Sequence, residues 1–141
     1  MLTCIIEFKI KFNEVDVLGI VWHGHYIRYF EDGREAFGDK HGLAYMDIYH
    51  QGYTAPIVNI HCDYKKSLVY GDSAILETTY IDNPAAKLVF KYKLYRASNK
   101  EVIAEGMSVQ VFLDRNTKQL QLITPDFFMD WKSRQSLLSS K

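Results

Sequence analysis

Residues 12–40 read FNEVDVLGIVWHGHYIRYFEDGREAFGDK, a glycine-punctuated loop running into a helical pattern. From His25 to Lys40, the residues Tyr26, Phe30, Gly33 and Phe37 recur at spacings of three and four, the stripe of a helix with one buried face. Glycine inside a helix costs about 1 kcal/mol relative to alanine, so Gly33 predicts close approach of another backbone, such as a sheet wrapped around the helix. Arg28 and Asp32 stand at the i,i+4 spacing of an ion pair on the outward side. Ahead of the helix the loop gathers a carboxylate, Asp16, two imidazoles, His23 and His25, and glycine. Unpaired N–H groups and the macrodipole at a helix start favour developing negative charge. A carboxylate that attacks a carbonyl or activates water, next to N–H donors that hold an oxyanion, is the equipment of acyl transfer. On residue types alone, Asp16 serves equally as a turn former and either histidine as a helix cap.

Outward from this segment the pattern is β-rich. Glu7 to Phe12 alternates charged and apolar residues, the period-2 signature of a strand with one buried face. Val58 to Tyr64 alternates again, and Ala74 to Asp82, Leu88 to Ala97 and Val102 to Asp114 supply three further strands. Turn signals at Gly71-Asp72, Asp82-Asn83-Pro84 and Ser98-Asn99-Lys100 separate these runs, so the last three read as an antiparallel meander. Leu43 to His50 suggests a short helix stopped at Gly52, and Thr124-Pro125 suggests an N-cap with proline at the first position of a helix toward Leu138. One long helix among five strands is an α+β order, in which a single sheet has one major helix to cover. Strands apolar on both faces, as in Leu88 to Tyr95, predict self-association.

The 141 residues fit one domain, taken as 1–141. Lys plus Arg and Asp plus Glu each total 17, so no global field draws nucleic acid or an anionic membrane. Ten Tyr, eight Phe and two Trp come without a basic stripe, which argues against a nucleic-acid surface. Cys4 and Cys62 have neither zinc spacing nor disulfide density and read as reduced core residues. His50 and His61 lack metal-ligand spacing, and no metal site is expected. Glu7, Lys9 and Lys11 interrupt the apolar opening before it reaches signal length, and no run approaches the roughly 18 apolar residues of a membrane span. A cytoplasmic location follows as the expectation.

The motif segment closely resembles the hot-dog fold thioesterases of the 4-hydroxybenzoyl-CoA thioesterase and YbgC-like branch, whose pattern is Asp-x-x-Gly-(Ile/Val)-Val-(aromatic)-His-x-x-Tyr. Asp16, Gly19, Ile20, Val21, Trp22, His23 and Tyr26 match it, and Arg28 to Arg34 resembles the helix that continues it. Asp63-Tyr64 and Leu68 to Asp72 resemble the family's strand end and Gly-Asp turn, so the likeness spans roughly Phe8 to Asp114. The resemblance implies an antiparallel sheet wrapped around the helix, and a homodimer or dimer-of-dimers tetramer whose active sites form between chains. It implies an acyl-CoA thioesterase acting on an acyl or aroyl thioester of coenzyme A or acyl carrier protein, with no cofactor beyond the coenzyme A of the substrate. Asp16 matches the catalytic carboxylate, as nucleophile or general base, and His23 the motif histidine. Gly19, Gly24, His25 and Tyr26 are the implied oxyanion and substrate-positioning residues.

Two departures stand out. Phe12 occupies a place where YbgC-like members often carry tyrosine, and His25 replaces a frequent asparagine, adding a titratable group. Coenzyme A brings phosphates, for which Lys65, Lys66 and Lys87 are the candidate cations. Two rivals remain. One is a non-hydrolytic acyl-thioester-binding module on the same fold, and the other a hot-dog hydratase or dehydratase pairing His25 with Asp32 or Glu35.

Overall fold

The first alternating run enters the sheet earlier and leaves it sooner than its pattern predicts. In a computed structural model that describes residues 2–135, strand β1 covers Thr3–Lys9, and Phe12–Glu14 turns away as a single 3-10 turn. The cause is local: the Glu14 carboxylate takes the Lys11 N–H at 2.7 Å, so the chain bends where alternation would have carried it straight on.

The remaining predicted elements follow in order, with one short strand, Tyr53–Thr54, that the sequence pattern does not predict. They are α1 (His25–His41), α2 (Tyr45–His50), β2 (Tyr53–Thr54), β3 (Ile57–Tyr64), β4 (Ser73–Ile81), β5 (Lys87–Arg96), β6 (Val102–Val111), β7 (Leu113–Asp114) and α3 (Asp126–Arg134). Five strands form one antiparallel sheet in the order β1-β4-β5-β6-β3, so the meander β4-β5-β6 sits at its centre, with β1 and β3 as edges. β2 and β7 form a separate small ribbon, which divides the long run predicted from Val102 to Asp114 at Phe112. Gly52, at φ +97° just past the C-cap residue Gln51 of α2, supplies the expected stop. The last helix starts one residue later than expected, with Pro125 at the cap position; Leu138, its expected end, lies outside the described residues.

The sheet curls around α1 as Gly33 foretells. Tyr26, Tyr29, Phe30, Gly33 and Phe37 are buried on one helix face, and Phe30 stacks on Tyr92 of β5 with ring centroids 4.4 Å apart. α3 closes the end where α1 finishes: Trp131 packs against Phe37 and Tyr80, and its indole N–H donates to the His41 carbonyl at 2.7 Å. The start of α1 meets the other end of the core, where the last residue of β3, Tyr64, lies against Tyr26 at 5.1 Å between rings. Burying these aromatic faces is the main source of stability, at about 25 cal/mol per Å² of apolar surface removed from water. Cys4 is buried and unpaired as expected. Cys62 is unpaired but only half-buried on edge strand β3, and burial pushes its thiol up to about 11.

The outer face of the sheet mixes Ile5, Ile75, Val89 and Met107 with Glu77, Lys91, Lys93 and Glu105. Among the described residues no helix is long and apolar enough to cross a membrane.

Candidate active site

The segment from Glu14 to Trp22 folds into a tight hairpin. Val15 and Val21 face each other as an antiparallel bridge, and the Trp22 N–H donates to the Glu14 carbonyl at 3.0 Å. Asp16 sits at the turn: its N–H donates to the Ile20 carbonyl at 2.9 Å, and its own carbonyl takes the Gly19 N–H at 2.9 Å. Gly19 adopts φ +82°, a conformation that glycine reaches without the steric cost of a β-carbon. One carboxylate oxygen of Asp16 accepts the Leu18 N–H at 2.8 Å, while the other has no hydrogen-bond partner among the described residues. Asp16 is therefore both a turn former and half free, and the two sequence readings are not exclusive.

The second arm of the hairpin is held from outside. Val21 donates its N–H to the Leu68 carbonyl at 2.9 Å, and Ile20 bridges Val69, so residues 68–69 lie as a third short strand beside it. That neighbouring loop is tied down by Arg96, whose guanidinium reaches Asp72 at 3.2 Å and also binds Glu101 and the Ser67 carbonyl. The Gly-Asp turn seen in the sequence thus has a specific task. Asp72 also receives the Val69 N–H at 3.0 Å, fixing the strip on which the hairpin leans.

The first arm is anchored to α1. Glu14 is buried, and its carboxylate binds the Arg28 guanidinium as well as the Lys11 N–H. Burial pushes this carboxyl up, but the Lys11 and Arg28 hydrogen bonds and the Arg28 charge together bring it below its ordinary value. Arg28 also approaches Asp32 at 3.7 Å, the predicted i,i+4 pair, but its intimate partner is Glu14. Sequence reading did not single out Glu14. The available signal was that its charge falls two residues before Asp16, where the alternation of the first strand breaks down.

At the helix entrance, His25 and Tyr26 spend their N–H groups on the carbonyls of Trp22 and His23, at 3.0 and 3.3 Å. The N–H groups of His23 and Gly24 have no acceptor among the described residues. These two, rather than that of His25, are the donors left for an incoming oxygen. Gly24 is small for a reason: a β-carbon there would lie 2.7 Å from the Cε3 atom of Trp22, whose ring folds over it. The Trp22 ring stands edge-on to His25 at 5.4 Å, and His23, whose ring is exposed, stands edge-on to Tyr64 at 6.3 Å. The Tyr64 hydroxyl donates to the His23 carbonyl at 2.8 Å, pinning the helix entrance to the end of β3.

Of the residues singled out from sequence, Asp16, Gly19, His23, Gly24 and His25 share this one loop. Tyr26 does not face it openly. At 2% exposure it is a core residue wedged between Tyr29 and Tyr64, because it belongs to the buried stripe of α1. Lys65 and Lys66 follow β3 at the site's end of the sheet and make only exposed pairs, with Glu105 at 3.5 Å and Glu101 at 3.9 Å. Lys87 opens β5 and pairs in register with Val111, at the opposite end. Exposed Phe12 packs edge-on to Tyr70 at 5.7 Å, in place of any phenol. His25 and the carboxylates of Asp32 and Glu35 form no hydrogen bond or ion pair with one another.

Comparison with known proteins shows what the whole chain is similar to. The model of the thioesterase-like superfamily matches residues 10–131. YneP of Bacillus subtilis, which carries an acyl-CoA thioesterase assignment, is 32% identical over 126 residues, covering 89% of each chain. Among solved structures, the DHNA-CoA thioesterase of Staphylococcus aureus superposes with a TM-score of 0.83 at 25% identity, over 97% of this chain and 93% of its own. A 4-hydroxybenzoyl-CoA thioesterase variant in complex with 4-hydroxybenzoyl-CoA superposes with a TM-score of 0.80 at 19% identity, over 93% and 99% of the two chains. The shared architecture is the hot-dog fold expected from the motif.

Proposed function

The chain belongs to the thioesterase-like superfamily, and from that premise we propose that it is an acyl-CoA thioesterase in which Asp16 is the reacting carboxylate. The observation that carries the assignment is the hairpin. It presents a half-free carboxylate at its turn, and its second arm runs directly into a helix start with two unspent N–H groups, those of His23 and Gly24.

Those parts divide the chemistry. The thioester carbonyl oxygen is drawn to the His23 and Gly24 N–H groups, where each donor contributes roughly 3 kcal/mol to the oxyanion. Asp16 then either attacks the carbonyl carbon, giving a mixed anhydride that water cleaves, or takes a proton from a water that attacks in its place. On both routes the C–S bond breaks, the thiol leaves and a carboxylic acid is formed. The His23 imidazole, exposed and unbound, orients water or the leaving sulfur. His25, edge-on to Trp22, sets the pH response of substrate positioning. Lys65 and Lys66 supply cations for the coenzyme A phosphates. A carrier-protein thioester offers the same pantetheine arm, and the two handles differ only beyond it.

The working unit is a homodimer or a dimer-of-dimers. Phe12, Val17, Leu18, Trp22 and Tyr70 are exposed on the Asp16 hairpin and its flanking segments, and β3 is an edge strand of the sheet among the described residues. A second copy of the chain covers that surface and closes the site from the other side. No location within the cell is needed for this chemistry beyond one that holds acyl thioesters, and a cytoplasmic one suffices.

The test is thiol release over acetyl-, decanoyl-, benzoyl- and 4-hydroxybenzoyl-CoA, with D16N as the control. Wild type should turn over at least one substrate, and D16N should lose most of that rate. Equal rates for the two proteins on every substrate would retire Asp16 as the reacting group. Binding without turnover by either would leave the acyl-thioester-binding module as the better description, and water addition to an enoyl-CoA would favour the hydratase.

A further inference from the structure

Taking Asp16 as the reacting carboxylate, we propose that Glu14 is the positioning residue of the site, clamping the base of the Asp16 hairpin to α1 through Arg28. The tip of the hairpin cannot hold itself in place. Val17 is 102% exposed and Leu18 77%, so no side-chain packing fixes the turn on which Asp16 sits. Its position is inherited from the two arms. The second arm is supported on its outer side by Leu68 and Val69. The first arm has Glu14.

Glu14 is attached through both its carboxylate and its main chain, whose N–H donates to the Lys11 carbonyl at 3.0 Å. Its carboxylate receives the Lys11 N–H at 2.7 Å, which turns the chain out of β1, and it receives the Arg28 guanidinium from the first turn of α1. Its main-chain carbonyl receives the Trp22 N–H at 3.0 Å, closing the hairpin immediately before the His23 and Gly24 donors. The strand end, the carboxylate turn and the helix entrance therefore meet at one residue, its carboxylate tying the strand end to α1 and its carbonyl the helix entrance. A carboxylate that is only 6% exposed is expensive to desolvate, and a stability role alone would be served as well by an apolar side chain. What the charge adds is a fixed distance between Asp16 and the oxyanion donors. Reacting groups displaced by about 1 Å can lose on the order of 100-fold in rate.

Three full-length variants decide the matter: E14Q, R28Q and the double variant E14Q/R28Q, assayed on whichever coenzyme A thioester wild type turns over fastest. Gln at 14 keeps an acceptor for Lys11 and leaves half-exposed Arg28 to water, so E14Q folds even where R28Q, which strands the buried Glu14 carboxylate, does not. Each single variant should lose about 10- to 100-fold in kcat with KM within about 3-fold, and the double variant should be no slower than the slower single one. Wild-type kcat per folded enzyme with only a lowered Tm would overturn the inference, as would losses that multiply in the double variant or that appear wholly in KM. D16N separates this from the prior reading. A fast D16N retires Asp16, whereas a dead D16N beside fully active E14Q and R28Q retires Glu14 alone.

Discussion

Gly33 lies so close beneath Thr78 that a β-carbon added to it would overlap the Thr78 hydroxyl and stand 2.6 Å from the Cδ2 atom of Leu76. This contact lets β4 press onto α1 and sets how tightly the sheet curls. Gly33→Ala would gain about 1 kcal/mol of helix propensity, yet overpacking a filled core costs roughly 1–3 kcal/mol, so the variant should be net destabilised. Urea unfolding of G33A should show a midpoint below that of wild type with an unchanged slope. A midpoint at or above wild type would mean that the helix can move off the sheet.

Gly33 also marks how far the sequence could be read. A glycine on an otherwise aromatic stripe can only be read as close approach, and the meander was legible because its turns are short. The hairpin was not legible, since its bonds join main-chain groups that any residue carries. Tyr26 belonged both to the buried stripe and to the motif, and the stripe decided its place, because a ring on that helix face has only the core to enter. Glu14 looked like one more charge in an alternating run. Its burial depends on Arg28, fourteen residues on, and no local pattern encodes that pairing.

Gly24 should be as sensitive for activity as Gly33 is for stability. A side chain there displaces Trp22, which is about half exposed and free to swing away, so the fold should lose little. The His23 and Gly24 N–H groups would be reoriented. Gly24→Ala should lower kcat by about 10-fold or more, the scale of losing alignment with one oxyanion donor, with little change in Tm. Tryptophan fluorescence should shift as Trp22 moves, while Trp131 remains buried as an internal reference. Unchanged kcat with a shifted spectrum would clear Gly24 of any part in the site.

The lysines can be sorted by their place in the sheet. Lys65 and Lys66 lie at the end that carries the hairpin and hold only exposed carboxylates, pairs worth about 0–1 kcal/mol that a phosphate can displace. The double variant K65A/K66A should raise KM for a coenzyme A thioester by about 3- to 10-fold and weaken its salt dependence. Lys87 sits at the opposite end, and K87A should leave KM unchanged. The same acyl group on pantetheine, which lacks the nucleotide phosphates, should not distinguish the double variant from wild type. If K87A alone raised KM, the phosphates would approach from the other end of the sheet.

Asp82 and Lys132 offer a test of how a buried charge holds α3 to the β4-β5 connection. Lys132 is 3% exposed at its side chain, donating to the Asn83 carbonyl at 2.8 Å and lying 3.0 Å from Asp82, which is 43% exposed. The two partners are therefore unequal. Asp82→Asn would strand a buried ammonium on one carbonyl and should cost about 1–3 kcal/mol, whereas Lys132→Met releases Asp82 to water and should cost under about 1 kcal/mol. Burial pushes the Asp82 carboxyl up, but the Lys132 hydrogen bond and charge, with the Tyr80 hydroxyl, bring it below its ordinary value of 3.8. A carboxyl lowered in the folded state adds stability above its unfolded value and loses it as pH falls through the lowered folded value. Urea midpoints taken from pH 6 down to pH 2 should thus fall more steeply for wild type than for D82N, with the two converging at the acid end. Parallel curves would show that Lys132 is held by Asn83 alone.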